Sequence, residues 1–422
     1  MKKNQIKNKV NSCWTIIWIL AVIFISTWEY NIMAQENIPE KPILNITDSG
    51  FVQVEGGQLF YEISGEGEQL IFIHDGILHR ETYDFQFGVF AEDYEVIRYD
   101  RRGYGRSSQP TELFSPIQDL LAVFDQLGVN QAHLIGCSAG GGLAIDFTLA
   151  HPDKVISLVL VGAVVSGYGY SEHCLTRGGY FDPASFKSYD DYRFYLYHVD
   201  PYSIIKENQQ VRLYADRIIT ANLHNLQRTN FTLAKDPERP AMPNLNEIKV
   251  PVLLVIGESD LPDLHAHAGV IEAGIENSRR YIMKNAGHLA HMEHPDEFNA
   301  LVKNFYSENS FFEYIAQNSI DAYIENMVMS GKIDSGNFPF DENRMNQLGY
   351  QRLLSDKIDE AVGFFRLSAI LNPTSFNAYD SFAEALLAKG DTANAIIIYR
   401  KSLELNPNNQ NARDILSNLN IE

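Results

Sequence analysis

Gly136-Cys137-Ser138-Ala139-Gly140 is the stretch from which the rest of the chain is read. It follows a short apolar run, Ala132-His133-Leu134-Ile135, and leads into small residues, Gly141-Gly142-Leu143-Ala144-Ile145, suited to a tightly packed helix. Ser138 therefore falls at a strand-to-helix corner. Such a corner holds the serine backbone in a strained conformation, and glycine is needed where a side chain would strike the strand or the helix. The hydroxyl would then project from the carboxyl edge of a sheet, beside the unpaired N–H groups that open the helix.

Working outward, apolar runs recur on both sides of this corner. Phe51-Val52-Gln53-Val54 and Leu59-Phe60-Tyr61-Glu62-Ile63 flank Glu55-Gly56-Gly57 and read as a hairpin. Leu70 to Ile73, Val96 to Tyr99, Val155 to Val161, Val250 to Ile256 and Arg280 to Met283 read as further strands, with a helix from Ile117 to Leu127. Continuous apolar runs suit strands covered on both faces, so a mostly parallel sheet between helices is expected, with its sites at the strands' carboxyl ends.

Three of those ends carry reactive residues: His74-Asp75-Gly76, Gly257-Glu258-Ser259-Asp260 and Asn285-Ala286-Gly287-His288. A hydroxyl is a poor nucleophile at neutral pH unless an imidazole takes its proton. That imidazole in turn needs a carboxylate to fix its tautomer. Ser138, Asp260 and His288 supply the three groups, and the backbone amides of Gly76 and Ala139 are the natural donors to a developing oxyanion. Glu258 and Asp263 are alternative acids, but Asp260 sits where the turn leaves its strand. The histidines at 265, 267, 288, 291 and 294 lack a carboxylate or cysteine set at ligand spacing, so no metal site is expected. His74 reads as a structural histidine holding its loop, and Asp100, Arg101 and Arg102 as residues that tie theirs to its neighbours.

The chain from about Val52 to Asn304 resembles the α/β-hydrolase superfamily, in its single-domain esterase-like branch with an inserted cap. The matching pieces are His74-Asp75-Gly76, the run from Tyr99 to Ser107, Gly136 to Gly141, Gly257 to Asp260 and Ala286-Gly287-His288. The resemblance implies Ser138 as nucleophile, His288 as general base and then acid, Asp260 as its orienting carboxylate, and Gly76 with Ala139 as the oxyanion hole. It implies no cofactor. One residue departs from the pattern: the family usually has a small residue after the first histidine, and here it is Asp75, a carboxylate beside a site where negative charge would develop.

The insertion at about 167–246 reads as a helical cap. It is rich in rings, with Tyr168, Tyr170, Tyr180, Tyr189, Tyr192, Tyr195, Tyr197, Tyr202, Tyr214, Phe181, Phe186 and Phe194, which favours an apolar or aromatic substrate. Beyond Ser310 a period appears. Pro373 and Pro407, Ala361 and Ala395, Phe365 and Tyr399, and Asn377 and Asn411 are each 34 residues apart, and Pro339 and Asn343 extend the spacing one unit earlier. This resembles the tetratricopeptide repeat, with a degenerate first pair from Phe311 to Met329 docking against the hydrolase and a closing helix at Asp414 to Leu419. Such repeats bind a protein partner or mediate self-association.

Lys2, Lys3, Lys7 and Lys9 precede an apolar run from Cys13 to Trp28 and the sequence Ile32-Met33-Ala34. Residues 1–34 are therefore expected to be an export signal, with an uncleaved membrane anchor as the alternative. The expected domains are then 1–34, a hydrolase at 35–309 and helical repeats at 310–422. A net charge of -20 argues against nucleic acid as a partner. Without Cys13, only Cys137 and Cys174 remain, too few to imply a disulfide framework.

Together these features predict an exported serine hydrolase that cleaves a small-molecule carboxylic ester or lactone through an acyl-enzyme on Ser138. The alternatives are a carbon–carbon or amide bond hydrolase using the same triad, and an interaction protein whose hydrolase domain is silenced by Asp75.

Overall fold

The computed structural model describes residues 41–176, 186–195, 204–205, 208–227, 229–330 and 338–419. The expected export signal lies outside the described residues, as do Tyr180, Phe181, Tyr197 and Tyr202 of the cap. Among the described residues no helix is long and apolar enough to cross a membrane. The chain forms two compact units, 1–300 and 301–422.

Among the described residues the first unit is built on eight strands: β1 (Asp48–Val54), β2 (Gly57–Ser64), β3 (Glu68–Ile73), β4 (Tyr94–Tyr99), β5 (Ala132–Cys137), β6 (Val155–Val161), β7 (Val252–Gly257) and β8 (Ser278–Met283). Their order in the sheet is β1-β2-β4-β3-β5-β6-β7-β8. The β1–β2 and β2–β4 pairs are antiparallel and every later pair is parallel, so the carboxyl ends of β3 to β8 share one edge. All residues of β5 and β7 are buried; β7 is an unbroken apolar run, and β5 is interrupted by His133, whose Nδ1 lies 2.7 Å from the Ser157 hydroxyl. β8 is the edge strand on the parallel side, and Tyr281 and Ile282 are exposed there.

Local signals fix the helices between strands. Helix Pro116–Leu127 starts on Ser115, whose side chain accepts from the Gln118 amide, carries proline in its first turn, and stops at Gly128 with φ 72°. Helix Ala139–Ala150 has neither a side-chain cap nor a polar face and is held by the sheet on which it packs.

At the antiparallel side of the sheet lies a buried charge network. Arg98, fully buried on β4, meets Asp84 at 2.5 Å and Glu62 at 2.7 Å. Arg80 meets Asp100 at 2.9 Å and Glu62 at 3.1 Å. Burial alone would raise the Glu62 and Asp100 carboxyls; Arg98 and Arg80 at the first, and His79 and Arg80 at the second, more than reverse this and hold both below the ordinary range.

Between β6 and β7 the described cap helices include Glu172–Thr176, Tyr189–Phe194 and Gln209–Ala221. Polar contacts fasten the cap's second half to the sheet turns. The Tyr214 hydroxyl donates to Asp84, Asn230 donates to the Gly103 carbonyl at 2.9 Å, and Asn225 accepts from the Gly105 amide at 2.9 Å.

The second unit is all helical. Helices begin at Glu342, Phe376 and Gln410, and at Ile358 and Thr392, so corresponding starts are 34 residues apart. The side chains capping the first series, Asp341, Ser375 and Asn409, recur at the same interval. Ala361 and Ala395 are fully buried, and a Cβ added at Gly349 would lie 2.5 Å from the Phe365 ring, so small residues let neighbouring helices approach. Helix Ile320–Ser330 contributes Ile320 and Ile324 to a cluster with Phe311, Met345, Leu348 and Phe364.

Candidate active site

Ser138 follows β5 directly and has φ 52° and ψ -116°, a conformation that costs a non-glycine residue on the order of 1–3 kcal/mol. Its surroundings enforce it. The Ser138 amide donates to the Val161 carbonyl at 2.8 Å, and the Gly142 amide donates to the Ser138 carbonyl at 3.0 Å. A Cβ at Gly136 would lie 2.6 Å from the Gly140 carbonyl oxygen, and one at Gly140 would lie 2.2 Å from that of Ile73. Both glycines are thus required by close backbone approach.

Asp260 and His288 follow β7 and β8. His288 Nδ1 and Asp260 Oδ2 are 3.0 Å apart, and the second Asp260 oxygen accepts from the Leu261 amide at 2.7 Å. The other two acids are engaged elsewhere: Glu258 accepts from the Asn285 amide, and Asp263 holds the amide and hydroxyl of Ser171. Burial alone would lower the His288 imidazole, but the charge and hydrogen bond of Asp260, with a further contribution from Asp75, leave it above the ordinary histidine value. Ser138 and His288 line the same cavity without a hydrogen bond between them. In an unliganded site such bonds are often long and tighten only in the substrate complex.

Two residues essential to this geometry escaped the sequence reading. Gly162, with φ 50°, sits against the acid–imidazole pair: a Cβ there would lie 2.8 Å from His288 Nδ1 and 2.9 Å from Asp260 Oδ2. The signal was present as a lone glycine at the end of the Val155–Val161 run, but it acquires meaning only when three turns converge. Glu293, almost fully buried, accepts from the Gly287 amide at 2.6 Å and steadies the loop that carries His288.

Gly76 and Ala139 also line the cavity, and a Cβ at Gly76 would lie 3.7 Å from that of Ala139, so the two candidate oxyanion donors are adjacent. Asp75 Oδ1 accepts from the amides of Ile77 at 2.7 Å and Leu78 at 2.8 Å. One carboxylate oxygen is therefore tied to its own loop, which explains how an acid is accommodated at this position.

The cavity measures about 590 Å³. Leu261, Leu264 and Leu289 line it from the sheet side, and Tyr170, Tyr192, Ile204, Leu226 and Phe231 from the cap. Of the expected ring cluster, Tyr170 and Tyr192 reach the cavity, whereas the Tyr189 and Tyr214 hydroxyls bond to Asp216 and Asp84. Phe231, not singled out from sequence, packs its ring 3.0 Å from where a Gly76 Cβ would stand. Asn230 beside it is buried against Gly103. Cys137 and Cys174 are buried free thiols, and burial pushes Cys137 up. Among the described residues no group of three or more His, Cys, Asp or Glu could hold a metal ion. His291 is buried, in contact with Thr82, and lowered to about 3, chiefly by burial.

This geometry can be set beside known proteins. The 2-hydroxy-6-oxo-6-phenylhexa-2,4-dienoate hydrolase of Comamonas testosteroni is 27% identical over 271 residues, covering 58% of this chain and 90% of that protein. A 2-hydroxy-6-oxononadienedioate/2-hydroxy-6-oxononatrienedioate hydrolase of Klebsiella pneumoniae is 30% identical over 233 residues, covering 50% of this chain and 76% of that protein. Among solved structures, Est816, described as an N-acyl homoserine lactone degrading enzyme, is 25% identical with a TM-score of 0.52, covering 61% of this chain and 100% of its own. A family model described as the alpha/beta hydrolase fold matches residues 70–295, more than half of the chain and the stretch from within β3 through the His288 turn. The chain belongs to the alpha/beta hydrolase fold family.

Proposed function

We propose that the first unit is a serine hydrolase whose nucleophile is Ser138, and that its substrate is a ketone-type compound bearing an apolar group and cleaved at a carbon–carbon bond. The observation that carries the serine assignment is the strained Ser138 corner facing one cavity with an imidazole already bonded to Asp260. The bond type is supported by the relatives. A 2-hydroxy-6-oxo-6-phenylhexa-2,4-dienoate has no ester or amide linkage, so water can divide it only between carbons, and the chain covers 90% of the Comamonas enzyme named for that compound. The mostly apolar cavity with Tyr170, Tyr192 and Phe231 suits a substrate bearing a ring or alkyl group.

In this mechanism Ser138 Oγ adds to the carbonyl as His288 takes its proton, and the oxyanion is met by the Gly76 and Ala139 amides. Collapse breaks the bond to the leaving carbon, which receives the proton from His288. Water, deprotonated by the same imidazole, then releases the acyl group from Ser138. Asp260 stabilises the imidazolium formed in each half. An ester or lactone would follow the same steps with an oxygen leaving group, and the similarity to Est816 supports that as the second reading.

Ser138→Ala is expected to abolish fluorophosphonate labelling and all hydrolysis. Equal labelling of that variant would remove the serine assignment. With wild-type protein, turnover of a vinylogous diketone above that of matched ester, lactone and amide compounds is expected; faster ester or lactone turnover would favour the second reading. The second unit is read as tetratricopeptide-like from its 34-residue helix spacing, with binding of a protein partner or self-association as its role. A mass independent of concentration in light scattering, and equal to one chain, would rule self-association out.

A further inference from the structure

The loop after β3 is gripped from behind by the turn after β4. Arg101 Nη1 donates to the His74 carbonyl at 3.3 Å and to the Asp75 carbonyl at 3.2 Å. The Arg101 amide donates to His74 Nε2 at 2.9 Å, which leaves the ring proton on Nδ1, and Nδ1 donates to the Asp75 carbonyl at 2.7 Å. Burial, and then the adjacent Arg101 charge, hold His74 well below its ordinary value, consistent with that neutral tautomer. The Tyr104 hydroxyl donates to the Gly76 carbonyl at 3.0 Å. Three successive carbonyls thus face the 101–104 turn.

Among the described residues no peptide bond is cis. In a trans peptide the C=O and the following N–H point in opposite directions. Tethering the Asp75 carbonyl to Arg101 and His74 therefore turns the Gly76 N–H the other way. Gly76 lines the cavity beside Ser138 and Ala139. The next two amides, Ile77 and Leu78, are engaged by Asp75 Oδ1. Gly76 is the one of the three whose N–H donates to no acceptor among the described residues. A guanidinium on the carbonyl end of a peptide also polarises it, which strengthens the N–H at the other end as a donor.

We propose that Arg101, seconded by Tyr104, is a positioning residue for the oxyanion hole: it fixes the peptide plane whose far end presents the Gly76 amide to the developing charge. The proposal rests on the serine-hydrolase reading above. Arg101 is only partly buried, with its guanidinium 5.6 Å from the Tyr104 ring centre, so its replacement opens no cavity in the core.

The test uses the full chain with Arg101→Met, Arg101→Lys and Tyr104→Phe, p-nitrophenyl butyrate as substrate, a fluorophosphonate as the reagent for Ser138, and an alkyl boronic acid as a tetrahedral inhibitor. For Arg101→Met, kcat and the phosphonylation rate are expected to fall roughly 10- to 100-fold, below the loss from deleting a donor outright. KM should stay within about two-fold, and the boronic acid should weaken in step with kcat/KM. Arg101→Lys, which keeps the charge and a donor, should recover a large part of the loss. An unchanged kcat, a loss confined to KM, or a lysine variant no better than methionine would each overturn the proposal. Should Arg101→Met fail to fold by near-ultraviolet circular dichroism, Tyr104→Phe decides: a fall in kcat at constant KM upholds the proposal and wild-type kcat overturns it. Wild-type protein that is phosphonylated at Ser138 while the variants match it would overturn this inference alone. Wild-type protein that resists the reagent would take the serine-hydrolase reading down with it.

Discussion

On the sheet side of the cavity, the groups near the candidate nucleophile are held at their main chain or pressed directly against it. Ser138 is pinned through its own amide and carbonyl, the His288–Asp260 pair rests against Gly162, and the Gly76 loop has its carbonyls tethered. On the cap side the walls are side chains, Tyr170, Tyr192, Ile204, Leu226 and Phe231, and the last of these is 51% exposed. A backbone wall tolerates no added atom, whereas a side-chain wall can lose a ring and remain a wall. The difference separates what the site does from what it accepts.

Substitutions should follow this division in size. Asp260→Asn preserves shape but removes the charge that sets the imidazole tautomer, and it should lower kcat on the order of 10⁴-fold, the scale seen when a triad carboxylate is neutralised. The pH profile gives the same test a sign. A general base must be unprotonated, so wild-type kcat/KM should rise with pH through an inflection above the ordinary 6.5 of a histidine, and the inflection of the residual activity in Asp260→Asn should move down. An inflection unmoved by that substitution would mean that the titrating group is not His288. Gly162→Ala adds one methyl against the pair and should lower kcat by roughly 10²-fold, the cost of displacing a catalytic group by about 1 Å. Wild-type kinetics in that variant would show that the sheet side is softer than the cap. Smallest of all, Phe231→Ala should raise KM by about three- to ten-fold for substrates with a ring and leave kcat nearly unchanged, since it removes apolar contact shared by ground and transition states. A fall in kcat there would instead tie the ring to the Gly76 loop on which it packs.

How much could be read beforehand follows the same line. The strands and the Ser138 corner were legible because apolar runs and glycine-bounded turns are local patterns, and every expected strand is present in the sheet. The 34-residue spacing was equally local, and the recurring caps Asp341, Ser375 and Asn409 were overlooked although they lie in the same pattern. Gly162 and Glu293 were not legible in the same way, and of Arg101 only its tie to a neighbouring loop was, not the peptide plane it holds. Each matters through a partner more than 100 residues away or through a peptide plane that only the folded sheet edge orients, except Glu293, whose partner is near but whose burial is not a sequence property. Phe231 escaped because a cap ring that lines a cavity has the same composition signal as one that packs a helix. The bond that is broken leaves no local mark at all, because one hydroxyl, imidazole and carboxylate serve carbon–carbon, ester and amide substrates alike.

The charge network beside β2 and β4 bears on acid tolerance. Glu62 and Asp100 titrate below the ordinary carboxyl range, so their contribution to stability is complete at and above that range and is lost only as the pH falls through their lowered values. Asp84 joins the network to Tyr214 of the cap, and His79 joins it to Asn222. The cap is thereby fastened through the same network as two carboxylates that keep their charge below the ordinary carboxyl range. On the reading proposed above, an acidifying medium would protonate His288, raised above its ordinary value, and end turnover while those two carboxylates are still charged.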